Sequence, residues 1–266
     1  MTYGCEVWGL ENINAVELLH RGFLKNILGV SKYVSNSIIF GETGIPKLEI
    51  EIYTRMIAFW HRVRSGSNRK ISKILYTFIK DVSDKNIYTS KWVTKIRSIL
   101  DRTGSTYLWN FERISLIKLK SKIQQKLQDA FLQNWESDIR SNNLCSNYRI
   151  FKLNFGQEFY LKEMPHNIRI TLTKFRTGSH NLPISDQRYN AIDERNICPL
   201  CYLDVGDEYH YVLNCPAFDH IRSSYIPTRF MLRPNTLKFN QLLSSRNISI
   251  LTKLSKFLKI IMYTFR

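Results

Sequence analysis

Cys198-Pro-Leu-Cys201, eight further residues, His210, four more, and Cys215 place three thiols and an imidazole within one short window. A Cys-x-x-Cys turn can bring two thiolates to one metal because the intervening backbone wraps the ion. The excursion Tyr202-Leu-Asp-Val-Gly-Asp-Glu-Tyr209 contains Gly206 and two aspartates, which suit a chain reversal returning His210 to the same ion. His210 and Cys215 are five apart and would not share one face of a regular helix. Pro216 disfavours helical geometry at Cys215, so a helix is expected to stop there and turn the sulfur inward. Four protein donors close the shell and leave no position for a reactive water. The expectation is therefore one structural Zn2+ per chain, held by Cys198, Cys201, His210 and Cys215. The competing reading is three core cysteines and a surface histidine. His220 is the nearby substitute ligand and ranks below His210.

The other two cysteines, Cys5 and Cys145, read as buried or free thiols, and five cysteines in 266 residues make no disulfide scaffold. The N-terminal stretch carries an acid and no apolar run, so no signal peptide is expected. No stretch of eighteen apolar residues suggests a membrane span. A reducing compartment, cytoplasm or nucleus, is the expected location.

Elements must hold that site, and the periodicity predicts helix nearly throughout, a mainly α fold. Val16, Leu19, Phe23 and Ile27 recur at helical spacing and are expected inward, with Gly29 as C-cap. Gly41-Glu-Thr-Gly-Ile-Pro46 reads as a turn. A second helix places Leu48, Ile52, Met56, Phe59 and Val63 on one face, and Ser65–Lys70 is a polar loop. Two further helices cover Ile71–Phe78 and Trp92–Leu100, the latter with Ser90 as N-cap. The longest runs from about Ser115 to Arg140, with Leu116, Ile123, Leu127 and Phe131 inward and Lys118, Lys120, Lys122 and Lys126 near its start. Ile168, Leu172 and Phe175 define another, between Pro165 and Gly178. Leu251, Leu254, Leu258 and Ile261 mark an amphipathic C-terminal helix carrying Lys253, Lys256 and Lys259. Arg-Thr-Gly-Ser, at 102–105 and 176–179, reads as two helix C-caps. The expected divisions are 1–140, a helical region; 141–183, a polar linker (Ser141–Asn147) and a basic helix; 184–219, the zinc segment; and 220–266, basic helices.

The net charge of +17 favours a polyanionic partner, nucleic acid before anionic membrane. It is unevenly spread. From Asp186 to Asp219 there are seven acids and two bases, a net of −5 that leaves +22 elsewhere. His220 to Arg266 holds no acid and nine bases, from Arg222 to Arg266. The zinc segment is thus a poor phosphate binder, and basic helices fixed around it are the expected contacts, with Lys253, Lys256 and Lys259 foremost. The bland alternative is a solvated basic face. Tyr202, Tyr209 and Tyr211 read more readily as cover for the zinc core than as base-stacking platforms.

Four stretches together resemble the C-terminal region of the reverse transcriptase-like protein of non-LTR (LINE-type) retrotransposons: Tyr3-Gly-Cys-Glu-Val-Trp-Gly9, His20-Arg-Gly-Phe-Leu-Lys25, Leu172-Thr-Lys-Phe-Arg-Thr-Gly-Ser-His180, and Cys198 to Cys215. The resemblance implies thumb-like helices following a polymerase palm, then a zinc-binding segment that engages RNA or DNA. It also implies phosphate contacts from Arg176 and His180, against which stands a local Gly178 cap with His180 packing. The family's aromatic-x-Asp-Asp polymerase element has no counterpart, since no two aspartates are adjacent anywhere in the chain. The chain is therefore expected to be a non-catalytic, nucleic-acid-binding piece of retroelement machinery, with RNA or DNA and other retroelement proteins as partners and no small-molecule substrate. The alternatives are a protein-interaction module with a structural zinc, an enzyme fragment that works only when joined to a palm, and a truncated element copy without selected function.

Overall fold

The computed structural model describes residues 2–11, 13–110, 114–184 and 197–265. Helix accounts for 69% of it, against about one third in an average domain, and the only pairing of extended residues among those described is an isolated Ile197–Val205 bridge. The protein is mainly α.

In chain order the helices are α1 (Cys5–Trp8), α2 (Ile13–Leu28), α3 (Asn36–Thr43), α4 (Leu48–Arg64), α5 (Ile71–Asp84), α6 (Lys91–Arg102) and α7 (Leu116–Ser141). They continue with α8 (Tyr148–Phe151), α9 (Phe159–Glu163), α10 (His166–Arg176), a π-helical turn (His210–Asn214), α11 (Asp219–Tyr225), α12 (Thr228–Met231), α13 (Thr236–Leu243) and α14 (Ile248–Thr264). Two compact units result. One comprises Met1–His20 with Pro46–Asn134, the other Arg21–Ile45 with Trp135–Arg266.

In the first unit, the apolar faces of α4, α6 and α7 supply the core: Ile52, Met56, Ile57, Val93, Ile96, Leu119 and Ile123 are wholly buried. Trp60 stacks on Trp109 with ring centroids 5.9 Å apart, and its indole donates to the Tyr76 hydroxyl at 3.1 Å. Ser90 caps α6 through the Val93 amide, as its sequence position predicts.

One expected face is corrected. Leu19, Phe23 and Ile27 are exposed, and Ile13, Glu17, His20, Leu24 and Leu28 are the buried residues of α2. A polar partner draws the other face inward: the Glu17 carboxylate accepts the Glu49 amide at 2.7 Å, satisfying an open donor in the first turn of α4.

The second unit is organised by α10 against α14. Leu251, Leu254, Leu258 and Ile261 are buried as expected, and the Ser255 hydroxyl donates to the Ile168 carbonyl at 2.6 Å across the helix pair. The Gly41–Pro46 turn is also corrected, since α3 continues through Thr43 and the chain turns at Gly44, φ +67°. Gly41 lies inside the helix because a β-carbon there would meet Trp135 and Tyr148 within 3 Å. The polar stretch Ser141–Asn147 forms a short 3-10 turn in which Asn142 accepts the Leu144 amide and Cys145 is buried. Both Arg-Thr-Gly-Ser segments end helices on left-handed glycines, Gly104 and Gly178.

Buried in this unit, and unforeseen, is an ionic network. Glu42 of α3 is completely buried and receives Arg176 Nε and the Tyr160 hydroxyl, each at 2.6 Å, and the Tyr148 hydroxyl at 2.9 Å. Arg176 also pairs with Glu158 at 2.8 Å and donates to the Leu243 carbonyl at 2.8 Å, while Lys152 pairs with Glu158. Burial alone would push the Glu42 carboxyl up. The Arg176 charge and the hydrogen bonds from Arg176 and Tyr160 outweigh it and hold the group below its usual range.

Candidate metal centre

The first two donors sit on a tight knuckle. Cys198 N–H donates to the Asp204 carbonyl at 2.8 Å and Tyr202 N–H to the Cys198 carbonyl at 2.9 Å, folding the chain back beside the Ile197–Val205 bridge. The reversal falls on Tyr202, which takes a left-handed φ of +58°. Gly206, expected to make that reversal, has another task. A β-carbon at Gly206 would lie 2.4 Å from the Tyr211 hydroxyl and 3.1 Å from Cys198 Cα, so the position is held by space rather than by torsion.

The second pair comes from the π-helical turn. Asp207 accepts the His210 amide at 2.7 Å and so caps the segment, and Cys215 N–H reaches back to the His210 carbonyl at 2.7 Å, a five-residue hydrogen bond. This wider turn brings together two donors that an α-helix would separate. Cys215 itself is extended (φ −61°, ψ 119°), as expected ahead of Pro216. Arg222 of α11 holds the end of this turn, donating from Nε to the Val212 carbonyl at 2.9 Å and from a terminal nitrogen at 2.5 Å to the Cys215 carbonyl, which also accepts the Phe218 amide.

The four donor atoms therefore converge. Cys198 and Cys215 sulfurs are 3.8 Å apart, Cys201 Sγ is 3.3 Å from His210 Nε2, and all four lie within 4.8 Å of one another. Cys198, His210 and Cys215 are buried and Cys201 is half-buried. The cluster is close enough to hold a metal ion.

Its electrostatics fit a cation. Burial pushes the Cys215 thiol up to about 12, with the sulfurs of Cys198 and Cys201 adding to the effect and the Ala217 amide opposing it. Burial acts in the same sense at Cys201, but the Leu203 and Asp204 amides and the neighbouring thiols hold that group below its ordinary value. Burial lowers the His210 pKa and favours the neutral imidazole that a metal requires. The Tyr211 hydroxyl is buried, and burial first and the charge of the nearby Cys198 sulfur second raise its pKa. Three sulfurs at this separation repel one another as thiolates, and a cation at their centre removes the repulsion.

The other expected site residues lie apart from this cluster. Arg176 is buried to 1% exposure, so the phosphate contact the resemblance implied is corrected: its guanidinium is consumed by Glu42, Glu158 and the Leu243 carbonyl. His180 is corrected likewise. Its Nδ1 accepts the Leu182 amide at 3.4 Å, which leaves Nε2 to donate to the buried Glu208 carboxylate at 3.0 Å. Through Glu208 it braces the helix that supplies His210. Lys253, Lys256 and Lys259 are exposed along α14. Tyr211 is buried over the metal cluster, Tyr209 packs edge-on against Phe239 at 5.7 Å, and Tyr202 is exposed. Asp186, Arg188, Asp193, Glu194, Arg195 and Arg266, counted in the charge balance, lie outside the described residues.

Sequence reasoning missed Glu42 and Arg222. Glu42 follows the apolar run Ile38-Ile39-Phe40, and an acid embedded in such a run calls for a buried cation, which was the available signal. Arg222 carried no signal distinguishing it from its exposed neighbours. No protein-family model, curated protein or solved structure matches this chain.

Proposed function

We propose that this chain is a non-catalytic nucleic-acid-binding protein in which a structural Zn2+ fixes the helices that present its basic face. Zinc suits the cluster: at about 2.3 Å from sulfur and 2.0–2.1 Å from nitrogen, a tetrahedral ion sets S–S edges of about 3.8 Å and S–N edges of about 3.6 Å. The sulfur pair is 3.8 Å apart and the sulfur–nitrogen pair 3.3 Å. Cys198, Cys201, His210 and Cys215 would hold the ion, which supplies cohesion to a knuckle whose Leu200, Leu203 and Val205 are exposed.

The observation that carries nucleic-acid binding is the two-faced character of α14. Leu251, Leu254, Phe257, Leu258 and Ile261 anchor one side, and Lys253, Lys256 and Lys259 stand in solvent on the other. No acid occurs from His220 to the end of the chain. The likeness to the post-palm region of LINE-type reverse transcriptases, with its catalytic aspartate pair missing here, supports a binding role without polymerisation. A salt titration on single-stranded RNA and duplex DNA tests this. Affinity should fall with a log–log slope of about three to six, and replacing Lys253, Lys256 and Lys259 by Gln should weaken every sequence alike and flatten the slope. Salt-independent binding would remove the electrostatic mechanism.

A second reading, a protein-interaction module, is favoured by α5. Ile71, Ile74, Leu75 and Phe78 recur at one-turn spacing and are 54–75% exposed. Absence of nucleic-acid binding at low salt would transfer the assignment to that face.

A further inference from the structure

A groove of about 660 Å³ opens between α10 and α14, a size suited to a small ligand or a nucleotide or two. Lys174 of α10 and Lys259 of α14 both line it, with Asn167 and Thr171 as neutral hydrogen-bonding groups. Neither lysine makes an ion pair among the described residues, and no described carboxylate lines the groove. Unneutralised cations on facing helices set up a field for an anion. Beside them Tyr263 is 73% exposed, a ring with most of its surface open to solvent. The end of the groove is fixed. The Asn181 amide donates to the Met262 and Phe265 carbonyls at 2.9 and 3.2 Å, and the Phe265 ring lies 5.0 Å from Tyr211, whose ring lies 5.6 Å from that of the donor His210. The groove thus stands on the metal centre.

We propose that this groove is the seat of a single-stranded nucleic acid, with phosphate held between Lys174 and Lys259 and a base stacked on Tyr263. The proposal rests on the reading that the chain binds nucleic acid, and it adds where the strand lies and why it is single. An aromatic platform gains affinity only from a base whose face is free, and in a duplex both faces are already stacked. Lys253 and Lys256, which do not line the groove, remain general phosphate contacts.

The test compares the full chain with Tyr263→Ala, Tyr263→Trp and Lys174→Gln on labelled twelve-nucleotide single-stranded RNA, single-stranded DNA and duplex DNA. Tyr263→Ala should weaken single-strand binding by about tenfold, leave duplex binding unchanged, and be rescued by Tyr263→Trp. Lys174→Gln should lower the single-strand salt slope by about one. A larger Tyr263→Ala loss on RNA than on DNA, or the reverse, identifies the strand while supporting the seat. Wild-type binding with both variants unchanged, or an equal Tyr263→Ala loss on duplex, overturns the groove and leaves the wider reading standing. Failure of the wild type to bind any oligonucleotide at low salt overturns both. Tyr263 is exposed, so unchanged thermal melting of its variants keeps the comparison sound.

Discussion

Gly206 and Glu42 show how a single residue is fixed by what surrounds it. At Gly206 the space for a side chain is already filled by the Tyr211 hydroxyl, 2.4 Å from where a β-carbon would be. Gly206→Ala should therefore cost about 1–3 kcal/mol by overpacking and loosen metal retention. In a Tyr211→Phe background the same change should cost clearly less, because the obstructing oxygen is gone. Chemical denaturation of the four proteins of that cycle reads the coupling, and strict additivity would show that the two positions do not compete for space. Glu42 is fixed by charge. Its folded-state carboxyl lies below the ordinary 4.5, so the folded protein binds fewer protons there than the unfolded chain. That contribution is fully present above about pH 4.5 and is lost as pH falls through the depressed folded value. Glu42→Gln leaves Arg176 underpaired in the interior and should cost about 3–5 kcal/mol at pH 7. The gap to wild type should narrow on acidification below pH 4.5, read by urea unfolding at pH 7 and pH 4. A gap independent of pH would mean that the carboxylate charge is not what the site uses.

At the scale of the element, the His210–Asn214 π-turn has the property that ordinary helix geometry denies, two donors five residues apart facing one point. Arg222 braces the end of the turn, donating to the Val212 and Cys215 carbonyls from a single buried guanidinium. Lysine cannot reproduce that fork. Arg222→Lys should thus destabilise by about 1–3 kcal/mol and raise the rate at which metal is lost to a chelator, although Arg222 is no ligand. The measurement is chelator-driven zinc release followed by a chromophoric indicator. Release as slow as in the wild type would mean that the turn stands without its brace.

For the whole molecule, the division into two units makes the reach of the metal measurable. Ligands, knuckle and π-turn all belong to the unit of Arg21–Ile45 and Trp135–Arg266. Purified protein should contain about one zinc per chain, and Cys201→Ser should lose it while Cys145→Ser should not. On zinc removal, hydrogen exchange should accelerate at the amides of α11 to α14 while those of α4 and α6 keep their protection. Zinc retained after Cys198, Cys201 and Cys215 are all replaced would refute the ligand assignment. Uniform loss of protection would show that the two units unfold as one.

Helical periodicity, polar loops and glycine caps are local properties, so the sequence alone determined the helical class, the course of α7 and α10 to within a residue or two, and which side of α14 faces inward. Four donors in a short window are local too, and all four come from within eighteen residues, although His180 braces their helix from outside the window. What only the tertiary structure decided concerns polar groups whose partners are distant in sequence. Arg176 meets Glu42 across 134 residues, and His180 meets Glu208 across 28. Read alone, each is an exposed cation or an imidazole at a helix end. Leu19, Phe23 and Ile27 make as good an inward stripe as the one actually buried, and the choice went to the face whose Glu17 could cap α4. Periodicity states that a helix has a face to bury. Which face is taken, and which charges go in with it, depends on the hydrogen bonds that neighbouring elements leave open, because a polar group enters the interior only where another chain segment already offers it a partner.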